Sequence, residues 1–122
     1  MKLLVCGGRN FTDQEALFNL LDTIHVTTPI TLIIEGGARG ADIMGRAWAI
    51  LNEVEYKTFK PDWDKYGKSA GFKRNTEMLD FGPDAVLATP GGNGTADTVR
   101  KATSRNIKVI QLGRKQCPII QT

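Results

Sequence analysis

Three stretches of the chain set glycines beside polar or charged residues in a way that suits holding an anion. They are CGGRNF at 6–11, EGGARGAD at 35–42 and TPGGNGTAD at 89–97. Glycine lets a turn take positive φ and lets backbone amides approach a ligand closely. A helix that starts after such a turn adds unpaired N–H donors and a partial positive charge. That combination suits a phosphate. In the third stretch the candidate ligand residues are Pro90, Gly91, Gly92, Asn93, Gly94 and Thr95, with Thr95 offering a hydroxyl at the helix start. In the first they are Gly7, Gly8 and Arg9, and in the second Glu35, Gly36, Gly37 and Arg39. A guanidinium binds phosphate through two donors, while pairing with Glu35 or Asp42 is the structural alternative for both arginines. Arg9 is preferred to Arg39. One such loop is usually only a turn that ends a strand, so the ligand reading rests on three of them meeting.

A fourth stretch, KPDWDKYGKSAGFKRN at 60–75, interleaves Trp63 and Tyr66 with Lys65, Lys68, Lys73 and Arg74. Aromatic faces can stack a base while cations neutralise phosphate. The alternative is a loop whose aromatics cover the core edge and whose lysines are solvated.

Several chemistries are disfavoured. The ATP-binding loop needs a Lys-Ser or Lys-Thr pair after its last glycine, and Thr95 and Ala96 follow Gly94 here. The dinucleotide fingerprint is missing after the first strand, although Glu35 stands where such folds carry a ribose-binding acid. His25 has no neighbouring ligand-type residues and reads as a residue capping the end of the first helix, so no metal is predicted, and no cofactor. Cys6 and Cys117 lie far apart and fit reduced thiols in a cytoplasmic chain; Cys6, at a strand end, could approach the ligand.

These loops need elements to bring them together. Segments 2–6, 30–35, 54–59, 84–89 and 107–112 are apolar and β-branched, as buried strands are. Between them, Leu17, Leu20, Leu21 and Ile24 share one helical face, and Ile43, Ala47, Ile50 and Leu51 another. Thr12 and Glu15 have the spacing of a capping box, and Trp48 is expected in the core or a subunit contact. Strands alternating with helices predict a mostly parallel five-stranded α/β sheet, order 3-2-1-4-5, covered on both faces. All strands then end at one edge, with the first and fourth side by side. The 122 residues suffice for a single domain, 1–122. Neither a bilayer-spanning run nor a signal-peptide core is present, and a net charge of +3 favours phosphate-bearing partners only mildly.

Four motifs in order carry a resemblance: GGR-F at 7–11, EGGARGAD, the series Asp62-Trp63, Gly67, Ala70-Gly71, Arg74-Asn75, Met78-Leu79, and PGGNGTAD. From about Lys2 to Leu112 the chain resembles the YspA/YpsA-related branch of the SLOG superfamily, the Rossmann-like group that includes cytokinin-activating LOG enzymes and the DprA core. The resemblance implies a Rossmann-like three-layer αβα sandwich that binds a nucleotide or nucleotide-derived ligand at the carboxyl edge of its sheet. LOG enzymes cleave N-ribosidic bonds with an arginine of R-K-x-x-M and a glutamate of P-G-G-x-G-T-x-x-E. The resemblance carries the arginine to Arg74 in RNTEM, where Asn75 replaces the lysine, while the glutamate position is Thr98. Asp97, one residue earlier, is the substitute acid if there is one, or else a first-turn acid favoured by the helix dipole. Binding, by a sensor or a sequestering protein, therefore stands ahead of LOG-like nucleotide hydrolysis with Arg74 and Asp97. Single-stranded DNA binding as in DprA comes third. A homodimer or higher homo-oligomer is expected, with no membrane partner.

Overall fold

The computed structural model describes residues 1–113 and the backbone of a strand at 118–120; Cys117 lies outside the described residues. Five parallel strands, β1 (Lys2–Cys6), β2 (Leu32–Glu35), β3 (Glu55–Thr58), β4 (Ala85–Ala88) and β5 (Lys108–Leu112), lie in the order 3-2-1-4-5. A sixth, β6 (Pro118–Ile120), pairs antiparallel with β5 at the sheet edge. The sequence reading missed it, since three residues led by a proline carry no periodicity. Proline is tolerated at the first position of an edge strand.

The helices are α1 (Gln14–Thr27), α2 (Ala41–Leu51), α3 (Trp63–Tyr66), α4 (Ala70–Asp80) and α5 (Asn93–Ser104), with a 3₁₀ turn at Gly67–Ser69. The stretch at 60–75 is thus partly helical, with its arginine on a helix. Side chains alternate across a strand, and β1 divides the core accordingly. Leu3 and Val5 pack with Leu17, Leu20, Leu21 and Ile24 of α1 and Trp48 of α2. Leu4 and Cys6 pack on the opposite face with Met78 and Leu79 of α4 and Ala102 of α5. This is the Rossmann-like three-layer arrangement. Among the described residues no helix is long and apolar enough to cross a membrane.

Three local expectations are corrected. On α2 the buried residues are Ala41, Asp42, Gly45, Trp48 and Ala49, whereas Ile50 and Leu51 are 58% and 72% exposed. The small residues at 41, 45 and 49 let the helix lie close on the sheet. A Cβ at Gly45 would come within 3.1 Å of Val5, and Trp48 fixes the rotation by donating from Nε1 to Asp22 Oδ1 at 2.8 Å. His25 does not cap α1: its ring meets Trp48 edge-on at 5.2 Å, and Nδ1 accepts from Ile30 N at 2.9 Å. The cap of α1 is Asp13, whose Oδ1 accepts from Ala16 N at 3.1 Å, and not Thr12. The helix starts one residue too late for the box, and Glu15 is left as a first-turn acid.

Asp13→Ala should therefore cost about 1 kcal/mol of stability in urea unfolding, and Thr12→Ala less than about 0.5 kcal/mol. Equal losses would restore Thr12 as the cap.

Candidate functional site

With β1 between β2 and β4, the chain reverses direction along the sheet at β1, and the crevice of such a fold opens there. The three glycine loops meet backbone to backbone. Gly8 N donates to Pro90 O at 2.9 Å, and Gly8 O lies 3.5 Å from Ala41 N. Gly40, at φ +89°, has no room for a Cβ because Gly8 O occupies the space. Above them opens a cavity of about 320 Å³, at the lower end of the roughly 300–1,000 Å³ usual for small-molecule sites.

The glycines fall into two groups. A Cβ at Gly7 would strike Thr89, one at Gly8 would lie 2.7 Å from Pro90 O, and one at Gly91 would lie 2.8 Å from Gly8 N. The packing of the loops accounts for these. Gly92 and Gly94 have nothing within 4 Å of a Cβ, among the described residues, and both line the cavity. Gly92 caps α5 with no side-chain hydrogen bond, so the first-turn amides of α5 are not covered by a cap. Thr95 lines the cavity beside them.

Arg74 enters from α4. Its Nη1 donates to Gly36 O at 2.7 Å and its Nε to Asn75 Oδ1 at 3.0 Å. Asn75 Nδ2 in turn donates to Gly94 O at 3.2 Å, which ties the guanidinium to the first turn of α5. A side chain at Gly36 would strike that guanidinium, so this glycine serves Arg74. Burial lowers the Arg74 pKa, Asp42 opposes the shift and Arg9 adds to it. Among the described residues neither Nη2 of Arg74 nor the side chains of Arg9 and Lys68 have a hydrogen-bond partner or ion pair. All three line the cavity, and Trp63, 51% exposed, and Phe72 edge it.

The structure brings Gly7, Gly8, Arg9, Trp63, Arg74, Asn75, Gly92, Gly94 and Thr95 to this cavity. Pro90 and Gly91 line a neighbouring one of about 510 Å³, shared with Gly8, Arg9 and Gly92. Glu35, Gly36, Gly37, Arg39, Asn93 and Asp97 line neither. Glu35 is fully buried: it pairs with Arg46 at 3.2 Å and accepts from Thr58 Oγ1 and from Gly37 N at 2.6 Å. Its oxygens are spent inside the fold, on Arg46 and not on Arg9 or Arg39. Arg39 instead donates to Arg9 O and Asn10 Oδ1, both at 3.3 Å, and fastens the loop after β1. Asp97 is taken up by Lys101 at 2.8 Å, Arg100 at 2.5 Å and Asn75 at 3.2 Å. The carboxylate expected as a substitute acid is thus turned away from the cavity. Thr98 does line it, with Oγ1 donating to Gly94 O at 3.2 Å.

Phe72 and Met78 reach the cavity without having been assigned to it, and two acidic groups there, Cys6 and Asp42, were undervalued in the sequence. Cys6, buried at the cavity floor, has its thiol pKa driven up by burial and by Asp42, against Arg74, and is a neutral thiol. Asp42, 5% exposed, was weighed only as an ion-pair partner. Its Oδ2 accepts from Gly36 N at 3.0 Å and Ala38 N at 3.3 Å. Burial raises its pKa to about 6 against the pull of those amides and of Arg74, with Glu35 raising it slightly. Its position two residues into a helix after a glycine turn was a usable signal.

The raised pKa means that the folded state holds the Asp42 proton more tightly than the unfolded chain. The resulting stability is complete below about pH 3.8 and is lost as pH rises to about 6. Relative to Asp42→Asn, the wild type should lose on the order of 2–3 kcal/mol in urea unfolding between pH 4 and pH 7. A constant difference would place the Asp42 pKa near its ordinary value.

The family model for the YspA, cpYpsA-related SLOG family matches residues 1–66, which span β1 to α3 and hold the first two glycine loops. Arg74 and the 91–95 loop lie beyond that match. The Gene 61 protein of Mycobacterium phage D29 is 37% identical over a 122-residue alignment that covers 93% of this chain and 98% of the phage protein. Two glycine loops inside the family match, on a parallel sheet of order 3-2-1-4-5, agree with that finding: the chain belongs to the YspA, cpYpsA-related SLOG family.

Proposed function

We propose that the chain binds a nucleotide or nucleotide-derived phosphate ester in this cavity, as a sensor or a sequestering protein. The anion sits on the first-turn amides of α5 at Gly92 to Thr95, with Arg74 and Arg9 closing on it. The observation that carries this reading is the open space beside Gly92 and Gly94. Neither glycine is required by packing, yet both face a cavity whose arginines have no anionic partner among the described residues. Backbone N–H groups, a helix dipole and a fixed guanidinium are the donors that a phosphate takes. The base of a nucleotide would meet Trp63 and Phe72 at the edge.

Hydrolysis of an N-ribosidic bond is the less favoured reading, because the acid position of the LOG motif is Thr98 and its substitute, Asp97, is engaged by Lys101, Arg100 and Asn75. Strand binding is also less favoured, since a cavity of about 320 Å³ set between the glycine loops and α4 has the size of a discrete ligand. We also propose that copies associate through α2, whose Ile43, Ile50 and Leu51 form an exposed apolar face. A monomer by light scattering at micromolar concentration would contradict that.

Calorimetry with AMP and ADP-ribose as probes tests the binding reading. Gly92→Val should abolish binding without shifting the thermal transition, because a Cβ there meets no atom of the described residues. Gly91→Val should lower stability as well. Arg74→Ala should weaken binding by more than about 1 kcal/mol. Affinity should fall only modestly between 50 and 200 mM salt, whereas a bound strand would lose about a thousandfold or more. Normal binding by Gly92→Val would reduce these glycines to a turn.

A further inference from the structure

We propose that Asp42 receives the ribose hydroxyls of the ligand whose phosphate rests on α5, so that the site selects ribose over deoxyribose phosphate esters. This rests on the phosphate reading given above and extends it to the other end of the ligand.

Asp42 is a buried acid that the fold only half uses. Oδ2 is pinned by the amides of Gly36 and Ala38, which fixes the plane of the carboxylate, while among the described residues no donor reaches Oδ1. No lysine, arginine or histidine nitrogen of the described residues forms an ion pair with it either. The two other well-buried carboxylates are treated differently: Glu35 is closed by Arg46, Thr58 and Gly37, and Asp97 by Lys101, Arg100 and Asn75. Only Asp42 of these three lines the cavity.

The consequence is a polarised site. The first-turn amides of α5, Nη2 of Arg74 and the side chain of Arg9 are donors with no acceptor of their own among the described residues, and they take the oxygens of a phosphate. An ionised carboxylate is an acceptor only; it repels phosphate and binds O–H or N–H groups. Arg74 and Asp42 meet at Gly36, whose carbonyl accepts from Arg74 Nη1 and whose amide donates to Asp42 Oδ2, so the ligand must present an anion to the α5 amides and hydroxyls beside the guanidinium, which is the polarity of a sugar phosphate. Trp63, Phe72 and Met78 bring aromatic and thioether faces to the cavity, suited to a base and not to a diol. Oδ1 is open to the cavity and not sealed in the fold, and a bound ligand that covers it without offering a hydroxyl leaves it without a donor, which penalises the deoxy analogue more than a lost apolar contact would.

The test compares AMP, 2′-deoxy-AMP, 3′-deoxy-AMP and inorganic phosphate on the full chain at about pH 8, where Asp42 is ionised. Wild type should bind at least one deoxy analogue about tenfold or more weakly than AMP. Asp42→Asn keeps an oxygen for the Gly36 and Ala38 amides but turns a donor to the cavity. It should bind all three nucleotides alike, and inorganic phosphate as tightly as wild type or more tightly. A smaller loss for both deoxy analogues on wild type overturns the proposal and needs no variant to do so. A ribose preference that survives in Asp42→Asn overturns it as well, because the hydroxyls are then read elsewhere. In both cases binding of phosphate lost in Gly92→Val leaves the phosphate site standing; if neither AMP nor phosphate binds at all, both readings fall.

Discussion

Gly8 N donates to Pro90 O at 2.9 Å, and this bond joins the loop after β1 to the loop after β4. The contact requires the two loops to pass at backbone distance, which only glycines at 8 and 91 allow, and it draws the loop before α2 in through Gly40 and Ala41. The strand order makes the bond available by setting β1 beside β4. Closure of these loops leaves the exposed start of α5 at the rim of the cavity, which Gly92, Gly94 and Thr95 line. Placement of the arginines follows from the same closure, since Asn75 links Arg74 to Gly94 on α5.

Charge is distributed unevenly around that closure. Acids and bases that hold the fold together are matched within it: Glu35 with Arg46, Asp97 with Lys101 and Arg100, Asp80 with Arg105. Around the cavity the charges are left without direct partners, with Arg9, Lys68 and Arg74 against Asp42. A buried carboxylate without a cation is costly, and the raised pKa of Asp42 records that cost. Two amide hydrogen bonds and the second position of a helix offset part of it.

The sheet was legible in the sequence because buried parallel strands are continuous apolar runs and alternate with helical spacing. Their order followed, and with it the meeting of the glycine loops. The rotation of α2 was not legible, because periodicity favoured the larger residues Ile43, Ile50 and Leu51. Close packing instead selected Ala41, Gly45 and Ala49, a preference set by the distance to Val5 and by the Trp48 to Asp22 bond. For the site, residue type singled out Arg9, Gly92, Gly94 and Thr95, and the family resemblance singled out Arg74; all five line the cavity. It could not divide the acids, since Glu35, Asp42 and Asp97 all belong to glycine-bearing loops near strand ends. What separates them is which cation reaches each one, and Arg46, Lys101 and Arg100 lie on helical turns whose facing only the folded chain defines. The antiparallel β6 had no signal strong enough to predict it.

Backbone amide shifts during a titration with AMP, followed by two-dimensional NMR, test the central claim most directly. An anion seated on α5 should move the amide resonances of Gly92, Asn93, Gly94 and Thr95 most, together with Gly8 and the Arg74 side-chain Nε–H. Shifts concentrated instead on Lys60, Lys65 and Lys73, which line no part of the cavity, with the amides of 92–95 unmoved, would contradict the account.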